Sequence, residues 1–218
     1  YDSKEGSIIV IDEPELSLHP QYQRKIMNLF LEYSTDRQII ISTHSPYFIS
    51  WDALMNGGEI IRVYKDENLD IDFRSLGSED REFIKKILRN QENPHILGLE
   101  ARELFFLEDN IIVVEGQEDV IALSKIMDEL NISIDASFFG WGSGGANRIQ
   151  GVLSILKNLG YKKVTAIYDG DMQKEYEVCK NQFSEYNVLI LWKDDIRDKN
   201  SKPKKEKEGI VTSSFKLK

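Results

Sequence analysis

The sequence predicts an α/β fold built on parallel sheets, and three observations carry that expectation. Short apolar runs recur along the chain, at residues 7–12, 38–42 and 59–64 and again within NIIVVEG, ASFFG, KVTAIYDGD and NVLILW. Amphipathic stretches of helical spacing separate most of them, as in Gln21–Tyr33, where Ile26, Met27, Leu29, Phe30 and Tyr33 recur. The runs are apolar throughout rather than alternating, as strands buried on both faces of a parallel sheet are.

The chain has 218 residues, 41% hydrophobic and 30% charged, enough for one or two domains with real cores. No apolar run approaches membrane-spanning length, and no charged-then-apolar leader is present. Cys179 is the only cysteine, which excludes a disulfide framework or a Cys-based zinc site within one chain. A reducing, cytoplasmic setting is expected, with Cys179 as a helix-packing residue. The net charge of -9 argues against a simple basic DNA-binding domain. It is compatible with a metal-dependent site made of carboxylates.

Texture divides the chain into residues 1–66, a more charged helical connector over 67–108, and a second α/β unit over 109–218. In the first part, strands are expected at 7–12, 38–42 and 59–64, as one layer with a parallel sheet. In the connector, SEDREFIKKILRNQ reads as a helix opened by Ser78, with acidic residues in its first turn. From Asn110 the order is β-α-β-α-β-α-β. NIIVVEG, ASFFG, KVTAIYDGD and NVLILW are the strands, and Gly160 closes the helix that ends ILKNLG. The stretch KDDIRDKNSKPKKEKEG reads as a charged loop.

Two constellations carry chemistry. The first is SIIVIDEPELSLHP, in which a strand ends in two acidic residues. Phosphoryl transfer needs such a pair at the mouth of a phosphate site. Asp12 is expected to hold Mg²⁺ and Glu13 to orient the attacking water. A second strand ends in STHS, where His44 can contact a γ-phosphate. The first segment resembles the Walker B motif and D-loop of ABC-type ATPases, and STHS resembles their switch histidine. The G-x-x-x-x-G-K-[ST] loop that would cradle the phosphates occurs nowhere in the chain. It is expected upstream of Tyr1, with the ABC signature, in a longer protein. The chain by itself is not expected to bind or hydrolyse ATP well.

The second constellation begins with VVEGQEDV. It puts Glu115 at a strand end and Asp119 four residues on, one turn into the next helix, so that both can face one point. AIYDGD puts Asp169 and Asp171 at the end of a later strand, two apart on what reads as an extended segment. In a parallel sheet both strand ends open on one edge, where ligands collect. Four converging carboxylates are hard oxygen ligands that select Mg²⁺ or Mn²⁺. Two such ions can clamp the attacking and leaving oxygens of a phosphodiester. Glu-Gly after one strand and Asp-x-Asp after a later one resembles the Toprim domain of topoisomerases, primases, recombination proteins and certain nucleases, over roughly residues 108 to 193.

FFGWGSGGANRI also satisfies G-x-G-x-x-G through Gly140, Gly142 and Gly145, the pattern of a dinucleotide site. That alternative leaves Glu115, Asp119 and Asp171 unexplained. In the Toprim reading the glycines turn tightly beside the metal site, and Ser143 can touch a phosphate or a metal-bound water.

An ABC-type ATPase end joined directly to a Toprim domain resembles the OLD (overcoming lysogenization defect) nucleases over nearly the whole chain. The resemblance implies a fold in two parts: the C-terminal part of an ABC-type P-loop ATPase, then a Toprim domain with a mainly parallel four-stranded sheet flanked by helices. It implies a DNA endonuclease or nickase with two divalent ions, Asp169 and Asp171 holding one and Glu115 and Asp119 the other. It further implies ATP in the full-length protein as regulator, a homodimer or larger assembly, defence against phage and, by analogy, a helicase-like partner. Related nucleases complete the metal site with an acidic residue in an Ile-Glu-Asp type sequence. Here Arg197 follows Ile196, and Asp195 and Asp198 are the candidates, Asp195 preferred. Lys216, or else Lys218, stands where such nucleases carry a charge-stabilising lysine. Lys204 and Lys205, in the basic run, can hold a DNA backbone or form a solvated loop. Two other classes stay open: a non-nucleolytic ABC-type ATPase of DNA maintenance with a degenerate Toprim, and a Toprim nucleotidyl-transfer enzyme such as a primase.

Overall fold

Two short parallel strands open the fold. β1 (Ile8–Asp12) pairs in parallel with β2 (Gln38–Ser42), Ile8 level with Gln38 and Asp12 with Ser42. The crossover between them is the helix Pro20–Tyr33. His19 caps it, Nδ1 accepting from the Gln21 amide at 3.3 Å, and Pro20 fills the first turn, where its missing N–H costs nothing. The computed structural model describes residues 6–66, 68–89, 102, 104–107, 109–140 and 146–194. Among them β1 and β2 have no further strand beside them, and Ile8, Val10 and Ile40 stand exposed. The sequence led us to expect both faces covered; here only one is.

The third strand departs from expectation. β3 (Ile61–Lys65) does not join the parallel pair. It forms an antiparallel hairpin with β4 (Ile71–Ser75), which lies inside the stretch read as a helical connector. The reason is local. Asp66 Oδ1 accepts from the backbone N–H groups of Asn68 and Asp70, at 2.8 and 2.9 Å, and Leu69 takes φ 66°. A turn this tight can only return the chain antiparallel.

The second unit matches its expected order. β5 (Ile111–Val113), β6 (Ser137–Phe139), β7 (Val164–Tyr168) and β8 (Asn187–Ile190) form one sheet, ordered β6-β5-β7-β8 and parallel throughout. Helices Gln117–Glu129, Ala146–Asn158 and Gln173–Gln182 connect the strands. Ile149, Leu153, Leu156 and Leu159, spaced three and four apart, are fully buried with Ile111, Val113 and Ala166 of the sheet. Cys179 is buried in the same core, as its place on an amphipathic helix implied. No helix of the described residues is long and apolar enough to cross a membrane.

The hairpin and the helix Ser78–Arg89 pack on this unit, and Leu76 and Ile84 share its core. Arg62 lies 3.8 Å over the Tyr161 ring and donates to the Leu159 carbonyl at 3.1 Å. Gly151 lets the two helices meet closely, since a Cβ there would overlap the Phe83 ring. Beside that contact lies Asp80, 1% exposed. It accepts from the Gly77 amide at 3.0 Å, the Ser154 hydroxyl at 2.9 Å and the Asn158 carboxamide at 2.6 Å. The helix does begin at Ser78, but Asp80 makes the cap that reaches back. Replacing Asp80 by Ala strands three buried donors, and we expect a loss of about 3 kcal/mol in urea unfolding. Asp80→Asn, which keeps an acceptor oxygen, should cost clearly less; equal losses for the two would mean that the hydrogen bonds contribute nothing.

Candidate functional site

Parallel pairing of β5 with β7, Val113 level with Ala166, brings both C-terminal ends to one edge. Glu115 lies two residues past β5, half-buried, and its Oε1 accepts from the Asp169 backbone N–H at 3.0 Å. Asp119 is buried in the first turn of the helix Gln117–Glu129. Its Oδ2 accepts from the Gly116 amide at 2.8 Å, so it caps the helix as well as facing the site. Asp169 is buried and Asp171 exposed. The sequence argument for this last pair assumed extended chain. In fact β7 stops at Tyr168, and Met172 N–H donates to the Asp169 carbonyl at 3.1 Å, so the two aspartates flank a turn.

Glu115 senses the other three carboxylates. Burial raises the Glu115 carboxyl from an ordinary 4.5 to about 7, and the charges of Asp169, Asp119 and Asp171 add to the rise. The hydrogen bond from the Asp169 amide works in the opposite direction. Such mutual repulsion is what a divalent cation relieves, and carboxylate oxygens are the donors that Mg²⁺ or Mn²⁺ takes. Carboxylate is the donor type such an ion takes, and these four are the residues that would hold it. Among the described residues, no three acidic, His or Cys side chains are close enough to form a ready-made ligand set.

Two glycines shape this edge. A Cβ on Gly140, at the end of β6, would overlap the Gly116 carbonyl and the side chains of Val114 and Val120, so the loop after β5 is pressed against β6. The sequence had marked Gly140 as a turn residue. It had not singled out Gly170, between the two aspartates, where a Cβ would meet the carbonyls of Lys193 and Leu191 at 2.7 and 2.9 Å. A cleft lined by Ala146, Gln150, Tyr168, Lys174, Glu175 and Val178 opens beside the end of β7. Gly142, Ser143, Gly145, Asp195, Arg197, Asp198, Lys204, Lys205, Lys216 and Lys218 lie outside the described residues.

At the other end of the chain, Asp12 closes β1 and Glu13 turns away from it. Glu13 takes φ 45°, a left-handed conformation that a non-glycine residue adopts at a cost, and its amide donates to the Ser42 carbonyl at 2.8 Å. His44 Nε2 lies 3.8 Å from Glu13 Oε1, so these two residues are neighbours. A third residue holds them there. Glu15 accepts from the Thr43 hydroxyl at 2.7 Å and the His44 amide at 2.6 Å. Partial burial acts to raise the Glu15 carboxyl, but these hydrogen bonds outweigh it and hold the group below its ordinary value. Sequence reasoning missed Glu15, whose only signal was a third acidic residue after the proline of DEPE. Behind this contact, the Ser45 hydroxyl donates to Gln23 at 2.6 Å, and Gln23 donates to the Leu18 carbonyl at 2.8 Å.

Two family models match separate parts of the chain. Residues 1–50 match the family described as AAA domain, putative AbiEii toxin, Type IV TA system. Residues 106–171 match the overcoming lysogenization defect protein-like TOPRIM domain. The chain is 33% identical over 157 residues to an OLD nuclease of Thermus scotoductus, covering 68% of this chain and 28% of that protein. It is 24% identical over 212 residues to endonuclease GajA of Bacillus cereus, covering 92% of this chain and 34% of GajA. Against the Old nuclease of Escherichia phage P2 it is 29% identical over 129 residues, 59% of this chain and 21% of that protein. The chain thus spans about a third or less of the length of these relatives.

The raised carboxyl of Glu115 has a measurable consequence. Between about pH 4.5 and pH 7 the folded chain holds a proton there that the unfolded chain releases, so stability falls as pH rises through that window. Glu115→Gln keeps the oxygen that receives the Asp169 amide and cannot ionise. In EDTA, the variant should gain in melting temperature over the parent protein from about pH 5 to about pH 8. Added Mg²⁺ at the higher pH should raise the parent's value more than the variant's. A gap between the two proteins that does not change with pH would refute the assignment.

Proposed function

With an AAA-type ATPase segment joined to an OLD-like Toprim domain, the chain belongs to the OLD family of ATPase–Toprim proteins, and from that premise we propose that it contributes the metal-dependent DNA endonuclease or nickase centre of a longer protein. The observation that carries the proposal is the gathering of Glu115, Asp119, Asp169 and Asp171 at one sheet edge, close enough for their charges to raise Glu115. The relatives are named nuclease and endonuclease, which supports the same reading.

In this reading Asp169 and Asp171 hold one divalent ion, and Glu115 and Asp119 the other. The ions, Mg²⁺ or Mn²⁺, supply Lewis acidity to the oxygens of the scissile phosphodiester. The Glu115 carboxyl, fixed by the Asp169 amide, must lose its proton to act as a ligand, which ties activity to pH values near and above 7. Asp195 completes the carboxylate set, Ser143, Lys204 and Lys205 contact DNA, and Lys216 neutralises charge on the phosphate. Asp12, Glu13 and His44 serve nucleotide hydrolysis once a P-loop is supplied, with Glu15 fixing His44. Residues 1–66 then form the end of the ATPase, 67–108 the connector and 109–218 the nuclease domain. The whole protein acts on DNA in the cytoplasm, as a homodimer or larger assembly that nucleotide regulates, in defence against phage.

A second reading is favoured by one observation, the lack of a ready-made ligand set among the described residues. In it the domain binds metal or DNA without cutting. One assay separates the two: supercoiled plasmid with Mg²⁺ or Mn²⁺, with and without ATP, and with Asp169→Asn as control. The nuclease reading expects nicking that falls on the order of 100-fold in the variant and ignores ATP in this chain. Nicking that survives Asp169→Asn refutes the site. No nicking, either here or in a chain extended upstream to a P-loop, favours the second reading.

A further inference from the structure

A second feature lies beside Asp169, on the neighbouring strand. β8 ends at Ile190, level with Tyr168, and the pairing continues past it. Leu191 N–H donates to the Tyr168 carbonyl and Gly170 N–H to the Lys193 carbonyl, both at 2.8 Å. Trp192 lies between these two bonded residues in the chain, and Lys193, next to it, is bonded to the turn that Asp169 and Asp171 flank. Trp192 is 93% exposed, more than any other large hydrophobic side chain among the described residues. Indoles bury most of their area in folded proteins. Looseness does not explain the exposure, because the backbone is bonded to the β7 turn on either side and Gly170 admits it at a distance no Cβ would allow.

We propose that Trp192 is a stacking platform for a nucleobase, unpaired or lifted from its stack, next to the phosphodiester held at the carboxylate edge. The proposal rests on the nuclease reading above. An aromatic face stacks on any base without reading sequence. The chain carries a net charge of -9 and four carboxylates at this edge, so phosphate attraction alone supplies little affinity here. A base offers an apolar face whose capture does not depend on charge. A protein partner fits less well: Lys193 and Asp194 follow Trp192 in the chain, and Asp169 and Asp171 flank the turn bonded to Lys193, whereas the centres of protein interfaces are depleted of charge.

The chain has three tryptophans, so the double variant Trp51→Phe, Trp141→Phe leaves Trp192 as the sole indole. Its emission should be long-wavelength and open to iodide in the free protein. A short single-stranded oligonucleotide, with Ca²⁺ replacing Mg²⁺, should quench it and shield it from iodide. Trp192→Ala should bind that oligonucleotide about tenfold more weakly, and Trp192→Phe should keep most of the affinity, with unchanged far-UV circular dichroism in both. If Asp169-dependent nicking is present but Trp192 emission ignores DNA and Trp192→Ala binds normally, the platform is refuted and the nuclease stands. Emission already blue-shifted and iodide-protected without DNA means that protein covers the indole, which also refutes it. Quenching without nicking, here and in a chain extended upstream to a P-loop, keeps the platform as a DNA contact and removes the nuclease. If the oligonucleotide does not bind at all, the platform falls, and plasmid nicking alone decides the nuclease.

Discussion

The parallel pairing of β5 with β7 is the constraint on which the carboxylate edge depends. Because the two strands run the same way and in register, the loops that leave them emerge side by side. Glu115 and Asp169 are 54 residues apart in the chain, yet a carboxylate oxygen of one meets the amide of the other at 3.0 Å. An antiparallel pairing would send the two loops to opposite edges and separate the charges. Bringing them together costs stability, since burial and the neighbouring charges disfavour ionisation of Glu115. The fold accepts that cost at one edge and offsets it with the apolar core beneath, where Val113, Ala166 and Tyr168 are almost wholly buried.

The hairpin and the helix Ser78–Arg89 are joined to the same core. Arg62 on Tyr161, Phe83 against Gly151 and Asp80 between Ser154 and Asn158 are contacts of different kinds, and all fall on or just beyond one helix, Ala146–Asn158. That helix follows β6 and precedes β7, so the chain linking the two constellations rests on the element that connects two strands of the carboxylate-bearing sheet. Three donors around Asp80 make this contact specific as well as apolar, because a shifted helix would leave buried polar groups without partners.

The ATPase end is organised by a smaller version of the same device. Glu13 sits in a left-handed turn, and the next acidic residue along, Glu15, returns to bind the loop after β2. The turn after one strand and the loop after the other are thereby held as a unit, and Glu13 and His44 face each other across it. The exposed apolar face of β1 and β2 contrasts with the closed core of the four-stranded sheet.

By itself the sequence determined the strand-helix alternation, the parallel character of the second sheet and the strand ends at which Asp12, Glu115 and Asp169 stand. These follow from local pattern, because apolar runs, caps and acidic strand ends are properties of neighbouring residues. The motifs also pointed to the family, since each needs particular residue types at fixed spacing. Tertiary structure decided the rest. The antiparallel fate of β3 depended on a turn closed by Asp66, and the role of Asp80 on donors 74 and 78 residues away. Glu15 found its partners across 28 and 29 residues, and Asp169 and Asp171 flank a turn that the extended-chain argument did not foresee. Trp192 comes next to the β7 turn through the backbone bonds of Leu191 and Lys193, partners that lie 23 residues away in the chain. The physical reason is common to all of these: spacing records which side chains are near along the chain, and only packing decides which are near in space.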